Sequence, residues 1–327
     1  MEFVSKNMNY IFNVEYFQHI DFGKLESEVN EKKIEDQNKG IRTFKFAKAD
    51  SPLAECRQME GYQSFALYTL YPGLIIGTGN PHEIAVAGAI KQGFTFDYVT
   101  GLPYISGSTL KGMLRSYFPG DTSSSEKNKE YQEMISGILG KEVDAEALKE
   151  DMFVNNDIFL GAFPVMDKER SIMEMEFVTP HKDKYKDPNP ISMAKVKPAI
   201  AFEFSFILSD FKDQKSGNIL VSAEEKKNLC KELLILMGIG AKTNVGFGKF
   251  SVNKPVGNSL VVRENRADNN HRNNASSGRN GTNGAQNSSQ ESMAPKCRTK
   301  GCNNTVGRKK DGSYFPVCRE CNQKKWG

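Results

Sequence analysis

Two cysteine pairs in the 327-residue chain carry the spacing of a metal site. Cys297 and Cys302 are separated by four residues, Cys318 and Cys321 by two, and fifteen residues lie between the pairs. Two such knuckles bring four thiolates around one tetrahedral ion. With no histidine beside them, they select a closed structural site over a catalytic one, which would keep a position open for water. Gly307, Asp311-Gly312 and Pro316 are turn formers suited to a hairpin between the knuckles. Residues 297–327 form too small a core to fold alone, so structural Zn²⁺ would supply the stability of a small zinc ribbon. Two disulfides are the competing reading, disfavoured in a reducing compartment.

A second kind of chemistry is suggested by the segment Gly238-Ile-Gly-Ala-Lys-Thr-Asn-Val-Gly-Phe-Gly248 followed by Lys249. Gly238, Gly240, Gly246 and Gly248 permit close backbone approach to a ligand. Lys242, Thr243, Asn244 and Lys249 add donors suited to phosphate and sugar oxygens. Neither the Walker spacing nor the dinucleotide fingerprint is present, and a plain glycine-rich turn is the competing reading. In Thr100-Gly-Leu-Pro-Tyr-Ile-Ser-Gly-Ser-Thr-Leu-Lys-Gly-Met-Leu-Arg115, the turn Ser106-Gly107-Ser108 opens a helix whose free amides and hydroxyls suit an anion. Lys111 and Arg115 fall four apart on one face of that helix; a serine cap beside two solvated cations is the bland alternative. The histidines are His19, His82, His181 and His271. His82 and His181, in body loops, are the ones a metal-independent endoribonuclease would use, and structural loop histidines are the competing reading.

The elements that must position these groups are legible from periodicity. Phe202, Phe204, Phe206 and Leu208 alternate over 200–208 as a half-buried strand, and Met173, Met175 and Phe177 alternate in the same way. Tyr62 to Tyr71 reads as a strand stopped by Pro72-Gly73. Leu110, Met113, Leu114, Tyr117 and Phe118 follow helical spacing behind Ser106 or Ser108, and a second helix spans about 223–237. Residues 125–151 are charged, helical and look inserted. A helix, a glycine-rich turn and a strand over 233–252 fit a sheet edge with a loop lying over it. No series of βαβ crossovers appears, so the fold class is α+β.

Composition bounds the rest. With 38% apolar and 26% charged residues and a mean hydropathy of −0.53, the chain is ordinary globular material. No segment approaches the ~20 apolar residues of a membrane span, and no secretory signal pattern opens the sequence; a cytoplasmic location is expected. Residues 257–296 hold no Phe, Tyr or Trp and are rich in Asn, Ser, Gly and Arg, which makes them a linker between a body, 1–256, and the cysteine module, 297–327. The module carries eight Lys/Arg against two acids and the linker five against three, so the overall +4 leaves the body at −4. A basic module on an acidic body suits a polyanionic partner, though it also serves solubility.

The stretches GLPYISGSTLKGMLR and GIGAKTNVGFGKF together resemble the RAMP superfamily of CRISPR-associated proteins, departing from its pattern at Ser106 and Thr109. Asn7 to Phe17, Asp157-Ile-Phe-Leu-Gly-Ala-Phe-Pro164 and the Val178-Thr-Pro-His181 region are similar to the sixth-subunit type of type III-B Cmr effectors. The resemblance spans residues 7–255 and leaves out the linker and cysteine module. It implies a ferredoxin-like (modified RRM) domain with insertions, acting as a non-catalytic subunit of an antiviral effector. The implied partners are guide RNA near its 3′ side, other Cmr-type subunits and, through the complex, target RNA. The implied RNA-binding residues are Ser106, Gly107, Ser108, Lys111, Arg115, Gly238, Gly240, Lys242, Thr243, Asn244, Gly246, Gly248 and Lys249. A related ribonuclease branch of the superfamily uses a histidine, which keeps the endoribonuclease alternative in view.

The cysteine spacing predicts one Zn²⁺ held by Cys297, Cys302, Cys318 and Cys321. Elemental analysis of the purified, zinc-reconstituted chain should give one zinc per chain, and chelation should leave the unfolding transition of the body unchanged. A metal content near zero contradicts the site.

Overall fold

Phe202, Phe204 and Phe206 are fully buried on one face of a single strand, and the sheet is assembled around them. The computed structural model describes residues 3–77, 84–120, 123–178 and 191–255. The chain divides into two units, Met1–Asn265 and Arg266–Gly327. The expected linker and zinc module lie outside the described residues. The helices are α1 (Met8–Asn13), α2 (Glu28–Thr43), α3 (Gly107–Arg115), α4 (Ser125–Leu139), α5 (Ala145–Glu150) and α6 (Ala223–Met237). The strands are β1 (Tyr62–Thr69), β2 (Ile105–Ser106), β3 (Ile158–Pro164), β4 (Met173–Val178), β5 (Ile191–Val196), β6 (Ala201–Ile207), β7 (Phe211–Lys212), β8 (Ile219–Val221) and β9 (Phe250–Ser251). This is the mixed α and β composition expected from the sequence.

The main sheet is antiparallel with strand order β2-β3-β6-β1-β9. Its wiring runs β1, α3, β3, β6, α6, β9, with β2 added outside β3. Phe65 of β1 stacks on Phe204 and Phe206 at 5.5 and 5.6 Å, and Phe250 of β9 meets Phe204 edge-on at 5.4 Å. Leu110 and Leu114 of α3 and Leu229, Leu233 and Leu234 of α6 complete the same core. Burying each such side chain is worth about 1.5–3 kcal/mol, which makes this layer the main source of stability. β4 and β5 form a separate hairpin in register from Met173↔Val196 to Val178↔Ile191.

Helix boundaries follow the local chemistry. α6 begins with a capping box: the Ser222 hydroxyl accepts from the Glu225 amide at 3.3 Å, and a Glu225 carboxylate oxygen accepts from the Ser222 amide at 2.8 Å. α4 starts at a Ser124 cap and stops at Gly140 in the left-handed region. Two expectations need adjustment. α3 ends at Arg115, so Tyr117 and Phe118 pack from the following turn. Strand β6 is covered on both faces instead of half-buried. On the side away from the phenylalanines, Ser205 is fully buried and within 3.0 Å of the Tyr62 hydroxyl, while Glu203 pairs with Arg57 at 3.0 Å. Arg57 comes from the one-and-a-half-turn segment Ala54–Gln58, which no periodicity announced.

Beneath this core, α6 contributes a fully buried lysine. Lys226 Nζ donates to Asp151 Oδ2 at 2.5 Å and to Asp157 Oδ2 at 2.8 Å, and its side chain is wholly shielded from solvent. Asp151 opens a π-helical turn, Asp151–Asn155, and its other oxygen accepts from Asn156 at 2.6 Å. Asp157 precedes β3, and its other oxygen accepts from the Ser209 amide and hydroxyl. Burial pushes the Asp157 carboxyl above its ordinary range, against the hydrogen bonds from Lys226 and Ser209. Removing the ammonium strands two carboxylates in the interior. Lys226→Met should therefore lose about 3–5 kcal/mol of stability in chemical denaturation; a loss under about 1 kcal/mol would show that the cluster carries no such weight.

Candidate nucleic-acid interface

The glycine segment splits into an inner half that locks to the protein and an outer half that does not. The inner half begins where α6 ends. Gly238 closes the helix by donating to the Leu234 carbonyl at 2.9 Å, and Lys249 Nζ donates to the carbonyls of Met237 at 2.7 Å and Leu236 at 3.3 Å. A cation on the last carbonyls of a helix complements both their lone pairs and the helix dipole. Lys249 is thus engaged in holding the loop. The Gly248 amide donates to the Gly73 carbonyl at 2.8 Å, the Ile239 amide to the Gly248 carbonyl at 2.9 Å, and the Ala241 amide to the Ile75 carbonyl at 2.9 Å. Phe247 packs with Ile75 and Met193 beneath. Gly248 has φ +64°, and a Cβ there would collide with the Ile239 carbonyl oxygen. Glycine is required at that position for close backbone approach.

The outer half is different. Gly240, Lys242 and Asn244 are exposed and Thr243 is half-buried. Lys242 takes a left-handed conformation (φ 59°, ψ 33°), and Thr243–Val245 then turn right-handed. A left-handed residue followed by a right-handed one aims consecutive amides at a common point, the concavity that binds anions. Among the described residues, the amides of Lys242, Thr243 and Asn244 have no hydrogen-bond partner, and the Lys242 ammonium has no ion pair. The arrangement can hold a phosphate with three amides and a cation, with no reading of base identity.

The second segment sits at the start of α3. Ser106 is the cap: its hydroxyl accepts from the Thr109 amide at 3.2 Å and lies 3.0 Å from the Ser108 and 2.8 Å from the Thr109 hydroxyl. Gly107 faces β3, where a Cβ would collide with the Phe159 carbonyl oxygen, so its glycine serves helix-to-strand approach. The β3 strand answers with a bulge between Phe159 and Gly161. Lys111 Nζ lies 5.9 Å above the Phe159 ring, and Arg115 is exposed with no ion pair among the described residues.

The two segments do not converge on one pocket. β2 leads into α3 at one edge of the sheet and β9 follows the glycine loop at the other, four strand spacings of about 4.8 Å apart. His19 is exposed, whereas His82, His181, His271 and the four module cysteines lie outside the described residues. Among the described residues no cluster of His, Cys, Asp or Glu is placed to hold a metal ion, and no helix is long and apolar enough to cross a membrane. Cys230 is buried against the core, and burial, with Asp157 nearby, pushes its thiol up. Sequence reasoning passed over Lys226 with Asp151 and Asp157. The available signal was a lysine on the apolar stripe of α6, three and four residues before Leu229 and Cys230.

The family model described as RAMP superfamily matches residues 66–251, more than half of the chain. The CRISPR system CMR subunit Cmr6 of Saccharolobus solfataricus is 27% identical over 170 residues, covering 50% of this chain and 49% of its own length, so the chain spans about half of that curated relative. Among solved structures, one of the type III-B Cmr-beta bound to cognate target RNA matches with a TM-score of 0.42 at 21% identity, over 75% of this chain and 85% of that one. The crystal structure of Cmr6 from Pyrococcus furiosus matches with a TM-score of 0.34 at 20% identity, over 59% and 99%.

A left-handed lysine costs about 1–2 kcal/mol relative to a residue free of that penalty. Lys242→Gly should accordingly raise stability by about 0.5–1 kcal/mol in thermal or denaturant unfolding, whereas Gly248→Ala should destabilise. Equal, near-zero shifts for both would contradict the loop geometry.

Proposed function

The chain belongs to the RAMP superfamily, and from that premise we propose that it is a non-catalytic RNA-binding subunit of a type III-B CRISPR effector. Its partners are a guide RNA, gripped near the 3′ side, and other Cmr-type subunits; target RNA reaches it through the complex, in the cytoplasm. The similarity to a curated CMR subunit supports this placement. The observation that carries the RNA reading is the triplet of amides at 242–244, without a partner among the described residues and held outward by a left-handed Lys242. Three convergent amides suit a phosphate oxygen. A second cationic segment at the far edge of the sheet suits a polyanion long enough to touch both, as a nucleic acid is and a free phosphate is not.

The wiring supports the ferredoxin-like, modified RRM reading of the body. Without β2, the order β3-β6-β1-β9 is that of a β-α-β-β-α-β unit with its first and third strands central. Residues 125–155 then form an insertion between α3 and the second strand of the unit. The zinc ribbon at Cys297, Cys302, Cys318 and Cys321 rests on cysteine spacing, and its basic composition suits the same polyanionic surroundings. The non-enzymatic assignment follows the non-catalytic role that the family resemblance implies.

Lys242→Ala should weaken guide-RNA binding by the complex about tenfold, the worth of one charge-assisted contact, with assembly preserved. His82→Ala and His181→Ala should leave target cleavage by the complex unchanged. A general acid or base contributes about 10²- to 10⁴-fold, so a hundredfold loss with normal assembly would overturn the assignment.

A further inference from the structure

Next to the end of α3, Tyr117, Lys127 and Tyr131 join Lys111 and Arg115 of the helix-opening segment in a surface strip that reaches onto the inserted helix α4. Tyr117, just after α3, meets Tyr131 of α4 edge-to-face with ring centroids 6.1 Å apart and an interplanar angle of 81°. Lys127, one helical turn before Tyr131, places its ammonium 5.5 Å above the Tyr131 ring. Arg115 stands two residues before Tyr117, and Lys111 one turn before Arg115. Two cations of α3 thus precede a tyrosine pair that bridges to α4, and a third cation covers the far ring of that pair.

Among the described residues, Lys111, Arg115 and Lys127 form no salt bridge, although Glu126 and Glu130 flank Lys127 on α4, and neither tyrosine hydroxyl has a hydrogen-bond partner. Three other lysines of the body are engaged internally: Lys141 pairs with Glu225, Lys195 with Glu176 and Lys226 with Asp151. Lys127 and Arg115 are exposed, and both tyrosines are half-exposed.

Resting on the RNA-binding reading, we propose that this α3–α4 corner extends the path of a single-stranded RNA: Lys111, Arg115 and Lys127 contact phosphates, and Tyr131, backed by Tyr117, stacks a base. Cations interleaved with aromatic faces are what sequence-independent single-strand binding requires. A protein partner is the less suitable occupant, because lysine is depleted at the buried centre of protein interfaces. The Lys127 ammonium now covers the Tyr131 face; tethered by no carboxylate, it can swing to a phosphate as a base takes its place. The inserted helix thereby gains a function, lengthening the grip at the edge of the sheet remote from the glycine loop.

The test measures binding of the full chain to a fluorescent single-stranded RNA across a salt series. Tyr131→Leu should weaken binding about fivefold or more and Tyr131→Phe by less than about twofold, since stacking needs the ring and not the hydroxyl. Lys127→Gln should lower the slope of log affinity against log salt by about 0.7, one phosphate contact on a single strand. Parent-like binding by Tyr131→Leu and Lys127→Gln, while Lys242→Ala binds weakly, overturns the strip and leaves the functional reading standing. A parent chain that binds no RNA overturns both. Loss of subunit assembly with RNA affinity intact also overturns the strip as an RNA site. Should Tyr131→Leu unfold α4, photo-cross-linking of 4-thiouridine RNA to the unaltered chain decides: adducts on Tyr117 or Tyr131 uphold the strip, and adducts confined to residues 242–244 refute it.

Discussion

One ammonium, Lys226 Nζ, ties together four parts of the body that are far apart in sequence. It bonds Asp151 at the end of the inserted helices and Asp157 at the entry to β3. Asp157 in turn holds Ser209, just past β6. Lys226 itself rides on α6. A single positive charge facing two carboxylates in a shielded site is costly to assemble, and it persists because every oxygen has a donor: Asn156 for Asp151, Ser209 for Asp157. Once formed, it fixes the depth and rotation of α6 against the sheet.

The rotation of α6 matters because its last turn launches the glycine loop. Lys249 on the carbonyls of Leu236 and Met237, and Gly248 against Gly73 and Ile239, convert that turn into a fixed platform. Beyond the platform, at 242–244, the backbone is left with three consecutive amides to offer. Glycine therefore serves close approach on the inside, while Lys242, itself left-handed, opens the turn that exposes the amides and Gly246 closes it. At the opposite edge of the sheet, Gly107 repeats this close approach, pressing the start of α3 onto β3.

Local periodicity made much of this legible. The Phe202, Phe204, Phe206 alternation, the span of α6 and the Ser106 cap are properties of neighbouring residues, and each is found where its spacing put it. What stayed hidden depends on contacts between distant segments. The polar helix α2, Glu28–Thr43, is anchored by burial of Ile34 and Ile41 and by Tyr16 hydrogen-bonded to Asn38, none of which forms a conspicuous stripe. Lys249 looks like a free cation until the end of α6 is seen beneath it. Lys226 looks like a misplaced polar residue until Asp151 and Asp157 arrive from 75 and 69 residues away. The glycine loop and the helix opening, which together carry the family resemblance in the sequence, occupy opposite edges because β3, β6 and β1 lie between β2 and β9.

The central claim is that this body grips an RNA backbone as part of an effector. It is tested most directly by purifying the tagged chain from its own host, then sequencing the nucleic acid and identifying the proteins that come with it. The account predicts short RNAs of many different sequences, together with several further subunits. A chain recovered alone and free of RNA, or with DNA in its place, would contradict it.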